Sequence, residues 1–277
     1  MNRKTGIIIV LTALLFTACI GHSPADKRII TVTIEPLRYF TEQIAGDKFA
    51  VKTMVPRGGN PETYEPTTRQ MLDLSGSDLY IKVGNIGFER TWMKRLEANA
   101  PHTIIINASD GITSPDDSIH IHDPHTWMSA NNAIHISRNI YKALAEIDSK
   151  DSLYFRKNLD KLMAKIENTD TRVRQLITKD KSTTFLIYHP ALTYFAREYG
   201  LRQITIEEDG REPSAVQLQQ IINAARQNHV NVIFVQREFD SRNTDVVTQS
   251  IAAEKVEINP LSYDWPKEMV KIAQSLK

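Results

Sequence analysis

Side chains able to coordinate metal recur in this sequence just past its β-branched runs. Glu62 and Tyr64 follow the second run, His125 the fourth, and Glu207 and Glu208 close the sixth. His189 comes directly after the fifth run and Asn259 directly after the last. Imidazole nitrogen together with carboxylate oxygen suits zinc, manganese or iron(II). Pro124 precedes His125, Pro190 follows His189 and Pro260 follows Asn259. A proline ring restricts the backbone beside each candidate, which is useful where a ligand must be held in place. Each residue also has an ordinary structural role open to it. His189 would serve as a hydrogen-bonded core histidine, and Glu62 as a solvated carboxylate in a polar turn. His120 and His122 alternate with isoleucine, which fits the outward face of an extended segment as well as a weak metal-collecting pair. The spread of candidates over both halves of the chain raises the metal reading above these.

Such a distribution needs two similar halves. Residues 28–34, 49–55, 78–83 and 103–107 read as strands, with helices at 36–45, 67–74 and 89–98 between them. After a helix at 130–147, strands at 184–188, 203–206, 231–236 and 255–258 alternate with helices at 191–199, 214–227, 244–253 and 266–276. Alternation of this kind predicts parallel sheets covered on both faces, with ligands bound past the carboxyl ends of the strands. Between the halves lies residues 150–179, where Leu153, Phe155, Leu159, Leu162, Ile166, Val173 and Leu176 recur mostly at spacings of three and four. Neither glycine nor proline interrupts it, and such a helix runs roughly 40 Å. The expected class is α/β: two similar lobes, each a roughly four-stranded parallel sheet flanked by helices, joined by one long rigid helix. The expected division is 28–147, 148–180 and 181–277. A single domain built on one long core helix is the simpler arrangement that periodicity leaves open.

The chain carries 34 basic and 33 acidic residues, a net charge of +1. That balance offers no global attraction to nucleic acid. Arg3 and Lys4 precede an apolar run at 6–15 that is too short for a permanent membrane span, so residues 1–18 read as a signal peptide. Phe16-Thr17-Ala18-Cys19 resembles a bacterial lipobox, which implies cleavage before Cys19 and lipidation of its thiol. Residues 19–27 then form a tether. Cys19 is the only cysteine, so no disulfide forms within the chain. An ordinary signal peptide cut nearby, with a bystander thiol, is the plainer alternative.

At larger scale the motifs are similar to those of the zinc- and manganese-specific solute-binding lipoproteins of bacterial ABC importers. Gly58-Gly59-Asn60-Pro61-Glu62-Thr63-Tyr64-Glu65-Pro66 resembles the first ligand loop of that family, and Asp123-Pro124-His125-Thr126-Trp127 the second. Tyr188-His189-Pro190-Ala191, with Tyr194-Phe195-Ala196, resembles the third, and Asn259-Pro260-Leu261 falls where a fourth ligand is expected. The stretch from Glu208 to Ser214 resembles a further family signature. Carried over, the resemblance implies a metal site of Glu62, His125, His189 and Asn259 in a cleft between two lobes. Glu62 stands where the family usually has histidine and Asn259 where it usually has aspartate. Two histidines and a glutamate form an accepted zinc set, and the added oxygen also suits manganese or iron(II). Glu208 or Asp264 is an alternative fourth donor.

The function this implies is an exported receptor, not an enzyme. It captures zinc or manganese in the interlobe cleft and delivers the ion to an ABC permease. It would work as a lipid-anchored monomer at the outer face of the cytoplasmic membrane, with no organic cofactor and no nucleic-acid partner. Imidazole must be neutral to bind, so affinity should fall as pH drops through about 6.5, the ordinary imidazole range. Three other functions compete: a metallohydrolase using the same two histidines and Glu62, a receptor for a chelated metal or other small solute, and a metal-stabilised surface adhesin or chaperone. The hydrolase lacks an H-E-x-x-H helix, a G-x-S-x-G elbow and a Walker loop.

Overall fold

The computed structural model describes residues 27–113, 123–177, 183–207, 210–239 and 242–276. Two four-stranded sheets, parallel throughout, form its centre. The first contains β1 (Arg28–Val32), β2 (Phe49–Thr53), β3 (Leu79–Lys82) and β4 (Ile104–Asn107), in the order β2-β1-β3-β4. The second contains β5 (Thr184–Ile187), β6 (Arg202–Thr205), β7 (Val232–Gln236) and β8 (Glu254–Ile258), in the order β6-β5-β7-β8. The central strands are buried on both faces, as helix-covered parallel sheets require: Leu79 to Ile81, Thr184 to Ile187 and Val232 to Gln236 are buried without a break.

Around the first sheet lie α1 (Glu35–Ala45), α2 (Thr68–Ser75) and α3 (Gly87–Asn99), followed by α4 (Ala130–Ile147). The second sheet carries α6 (Thr193–Tyr199), α7 (Ala215–Gln227), α8 (Arg242–Ile251) and α9 (Trp265–Ser275). The helix starts follow local chemistry. Pro36 sits in the first turn of α1, while Thr67 with Gln70 and Ser214 with Gln217 close reciprocal capping boxes on α2 and α7. Gly200 ends α6 in the left-handed conformation, with φ of 69°.

Between the halves runs α5 (Ser152–Leu176), 25 residues entered from a 3-10 turn at Ser149–Asp151. Its length is about 37 Å. Phe155, Leu159, Leu162, Ile166, Thr169 and Val173 make the buried stripe, at alternating steps of four and three, and pack it against α1, α4 and α9. Leu153, expected on that stripe, is 85 % exposed. Two residues before Phe155 is about 200° around the helix, on the solvent side. Thr169 takes a buried position that periodicity of apolar residues alone passes over, and its hydroxyl donates to the carbonyl of Lys165.

The halves are also clasped directly. Trp127 lies in a 3-10 turn (Thr126–Met128) after the first sheet, and its indole N–H donates to the carbonyl of Pro260 at 2.7 Å. Trp265, opening α9, donates its own indole N–H to the carbonyl of Trp127, also at 2.7 Å. Both indoles are essentially sealed from water. The chain therefore returns over the first half at its end. Trp265 packs edge-on against Phe40 of α1, and the Tyr263 hydroxyl donates to Glu42 at 2.6 Å. Removing the Trp265 N–H in Trp265→Phe strands a buried carbonyl and should lower unfolding stability by roughly 1–3 kcal/mol. Urea denaturation checks this: the midpoint falls while the slope stays as in the wild type.

Candidate metal centre

His125 and His189 reach each other from opposite halves of the chain. His125 precedes the 3-10 turn that follows the first sheet, and His189 lies two residues past β5. Their ring centroids are 5.1 Å apart and the planes are inclined at 75°. A zinc ion bonded tetrahedrally to two imidazoles at about 2.0–2.1 Å would hold the centroids roughly 5 Å apart. The spacing fits one shared ion.

Each imidazole is fixed by its own carboxylate. The Nδ1 of His125 lies 2.8 Å from an Asp123 oxygen, and the Nδ1 of His189 lies 3.2 Å from a Glu207 oxygen. In a neutral ring, an ionised carboxylate at this position draws the proton to Nδ1 and leaves the Nε2 lone pair for a metal. The same Asp123 oxygen accepts from the backbone N–H of His125 at 2.8 Å, closing a turn within three residues. Burial alone would raise the Asp123 pKa. The His125 charge, together with hydrogen bonds from His125 and Thr193, outweighs it and holds the carboxyl below its ordinary value. Around His189, Gln236 at the end of β7 accepts from the backbone N–H and donates to the backbone carbonyl. Phe239 stacks flat on the imidazole, 4.0 Å between centroids at 3°.

Glu62 and Asn259 are placed differently. The Glu62 carboxylate docks on the start of α3, accepting from the Gly87 N–H at 3.1 Å and from Arg90 at 3.3 Å. Gly87 is required there, since a Cβ would lie 2.4 Å from that carboxylate oxygen. The turn that carries Gly87 is itself pinned by buried Glu89, which accepts from Thr33, Val83 and Gly84. Burial pushes the Glu89 carboxyl up despite those bonds. Tyr64 donates its hydroxyl to Gln70. Asn259 is exposed and accepts from the N–H of Leu261 at 3.0 Å, a local turn. With Glu35, Arg57 and Asp264 it borders a cavity of about 280 Å³ between the halves. Asp264 caps α9 by accepting from Lys267. Among the described residues, no three His, Cys, Asp or Glu side chains gather closely enough to hold a metal ion. Cys19, His120, His122 and Glu208 lie outside the described residues.

Residues 30–277 match the family described as zinc-uptake complex component A, periplasmic, and the chain belongs to that family. The high-affinity zinc uptake system protein ZnuA of Bacillus subtilis (strain 168) is 28 % identical over 286 residues, covering 94 % of this chain and 89 % of that protein. The manganese ABC transporter substrate-binding lipoprotein PsaA of Streptococcus pneumoniae is 28 % identical over 269 residues, covering 90 % and 86 % respectively. A crystal structure of ZnuA superposes with a TM-score of 0.86 at 34 % identity, over 90 % of this chain and 97 % of that one.

Two outcomes follow from the carboxylates. In Asp123→Asn or Glu207→Gln an amide N–H can face Nδ1 and drive the proton to Nε2. Zinc affinity should fall about 10–100-fold in either, measured by competition with a chromogenic chelator. For Glu89 the raised pKa sets the sign. The folded chain holds this proton longer than the unfolded chain, so stability falls as pH rises from the ordinary carboxylate range through the raised value. Urea midpoints across that range should show the decline, and Glu89→Gln should flatten it.

Proposed function

We propose that this protein is an extracytoplasmic receptor that captures zinc or manganese and hands it to the permease of an ABC importer. The observation that carries this is the histidine pair, one from each half, at a centroid spacing that fits a single ion and with a carboxylate beside each Nδ1. Membership of the zinc-uptake family supports it, as does similarity to relatives named for zinc uptake and for manganese transport. In this reading His125 and His189 supply two nitrogens, while Glu62 and Asn259 complete the shell. Glu62 would exchange Gly87 and Arg90 for the ion. The Asn259 oxygen, already accepting from Leu261, has a second lone pair to offer. The metal is cargo, and nothing needs to react, so the role is binding and not catalysis. Residues 1–18 would be removed and Cys19 lipidated, with 19–27 as tether. Residues 28–147 and 181–277 would act as the two lobes of a monomer, with 148–180 between them.

Elemental analysis of purified residues 22–277, followed by competitive titration with zinc and manganese, tests the reading. About one tightly held ion per chain is expected, lost in both His125→Ala and His189→Ala. Binding unchanged in both variants would sink it. Affinity should also weaken on acidification, because an imidazolium must lose a proton before it can coordinate. Proton release on metal addition, measured in weak buffer, checks that sign.

A further inference from the structure

His125 belongs by sequence to the first half of the chain, yet the segment that carries it is seated on the second. Tyr194 of α6 donates its hydroxyl to the backbone carbonyl of Asp123 at 3.1 Å. Thr193, at the start of α6, hydrogen-bonds the Asp123 carboxylate. The Thr193 hydroxyl in turn accepts from the Gln203 side chain of β6 at 3.1 Å, and Gln203 also accepts from the backbone N–H of Leu192. Six residues beyond His125, the N–H of Asn131 donates to Glu198 of α6 at 3.2 Å. Trp127 is held between Pro260 and Trp265. From its own half, the turn receives the bond between Ser109 and Thr126 at 2.7 Å.

We infer that Thr193 and Tyr194 are positioning residues for His125, acting through Asp123, and that both histidines are thereby oriented from the second half of the chain. The relay runs Gln203, Thr193, Asp123, His125 Nδ1. The other histidine is oriented by Glu207, two residues past the end of β6, so one edge strand and the turn beyond it steady both rings. The Thr193 hydroxyl accepts from Gln203, and because an ionised carboxylate only accepts, its bond to Asp123 is one in which Thr193 donates. That bond fixes the rotation of the carboxyl, and the carboxyl fixes the tautomer and tilt of the imidazole. Tyr194 anchors the backbone of the same residue. A shift of the Glu62 turn leaves these bonds in place, because none of them passes through Pro61–Glu62.

The inference rests on the metal-receptor reading for its consequence, but its first test needs no metal. In the full chain labelled with nitrogen-15 histidine, His125 should appear as the Nδ1–H tautomer, assigned by loss of its signals in His125→Ala. In Thr193→Val it should shift toward a tautomer mixture, and Thr193→Ser should restore it. Zinc affinity, read by chelator competition, should fall about tenfold or more in Thr193→Val and in Tyr194→Phe, and recover in Thr193→Ser. An unchanged tautomer in Thr193→Val would overturn the inference. So would affinities within twofold of wild type, or a loss that Thr193→Ser fails to rescue. If wild-type protein takes no zinc, the receptor reading fails while the tautomer result still decides the positioning.

Discussion

Two buried indole N–H groups must each find an acceptor, and in this protein both find one across the boundary between the halves. Trp127 donates to Pro260 and Trp265 donates to Trp127, so the turn after His125 and the turn after Asn259 are tied back to back. A buried donor left unpaired costs far more than a made bond gains, which turns a pair of ordinary hydrogen bonds into a registration device. The aromatic contacts around it, Trp265 on Phe40 and Tyr263 on Tyr39, pack the same boundary. With α5 packed along both halves, the walls of the cleft are tied to the helix as well as to each other.

Within those walls the histidine pair is held by charge as well as by shape. Asp123 and Glu207 stand behind the rings and face Nδ1, the side away from where an ion would sit. A carboxylate there raises the basicity of Nε2 and removes rotational choice, so less ordering remains to be done when an ion arrives. Burying such an acid is costly unless its oxygens are satisfied. Asp123 meets that cost with the His125 backbone, the His125 ring and Thr193, and its ionised form is favoured as a result.

Much of this was legible in the chain. The strands, the helices and the long Gly- and Pro-free segment follow from periodicity and from proline, glycine and capping residues, because those signals are local. The Asp-Pro-His turn is local too, and its geometry follows from an aspartate two residues before a histidine. The pairing of His189 with Glu207 spans 18 residues, and that of His189 with Gln236 spans 47. No local pattern encodes either. Glu207 was readable as a possible donor to metal, yet its oxygen faces Nδ1 of a histidine. The seating of Asp123 on α6 depends on how the two sheets meet, which only the packed structure displays. Leu153 shows the opposite limit, an apolar residue in nearly the right place that faces solvent because two residues along a helix is half a turn.

The order β2-β1-β3-β4 maps onto β6-β5-β7-β8 strand for strand, and α2 and α7 open with the same capping box. In terms of association, the protein carries two similar units on a single chain, with α5 joining them and the tryptophan clasp as their interface. Two separate lobes would meet with an equilibrium constant, and the fraction paired would fall on dilution. Joined by a rigid helix, they meet at an effective concentration set by geometry and not by how much protein is present. The juxtaposition of His125 and His189 is therefore as complete in a single molecule as in a concentrated solution.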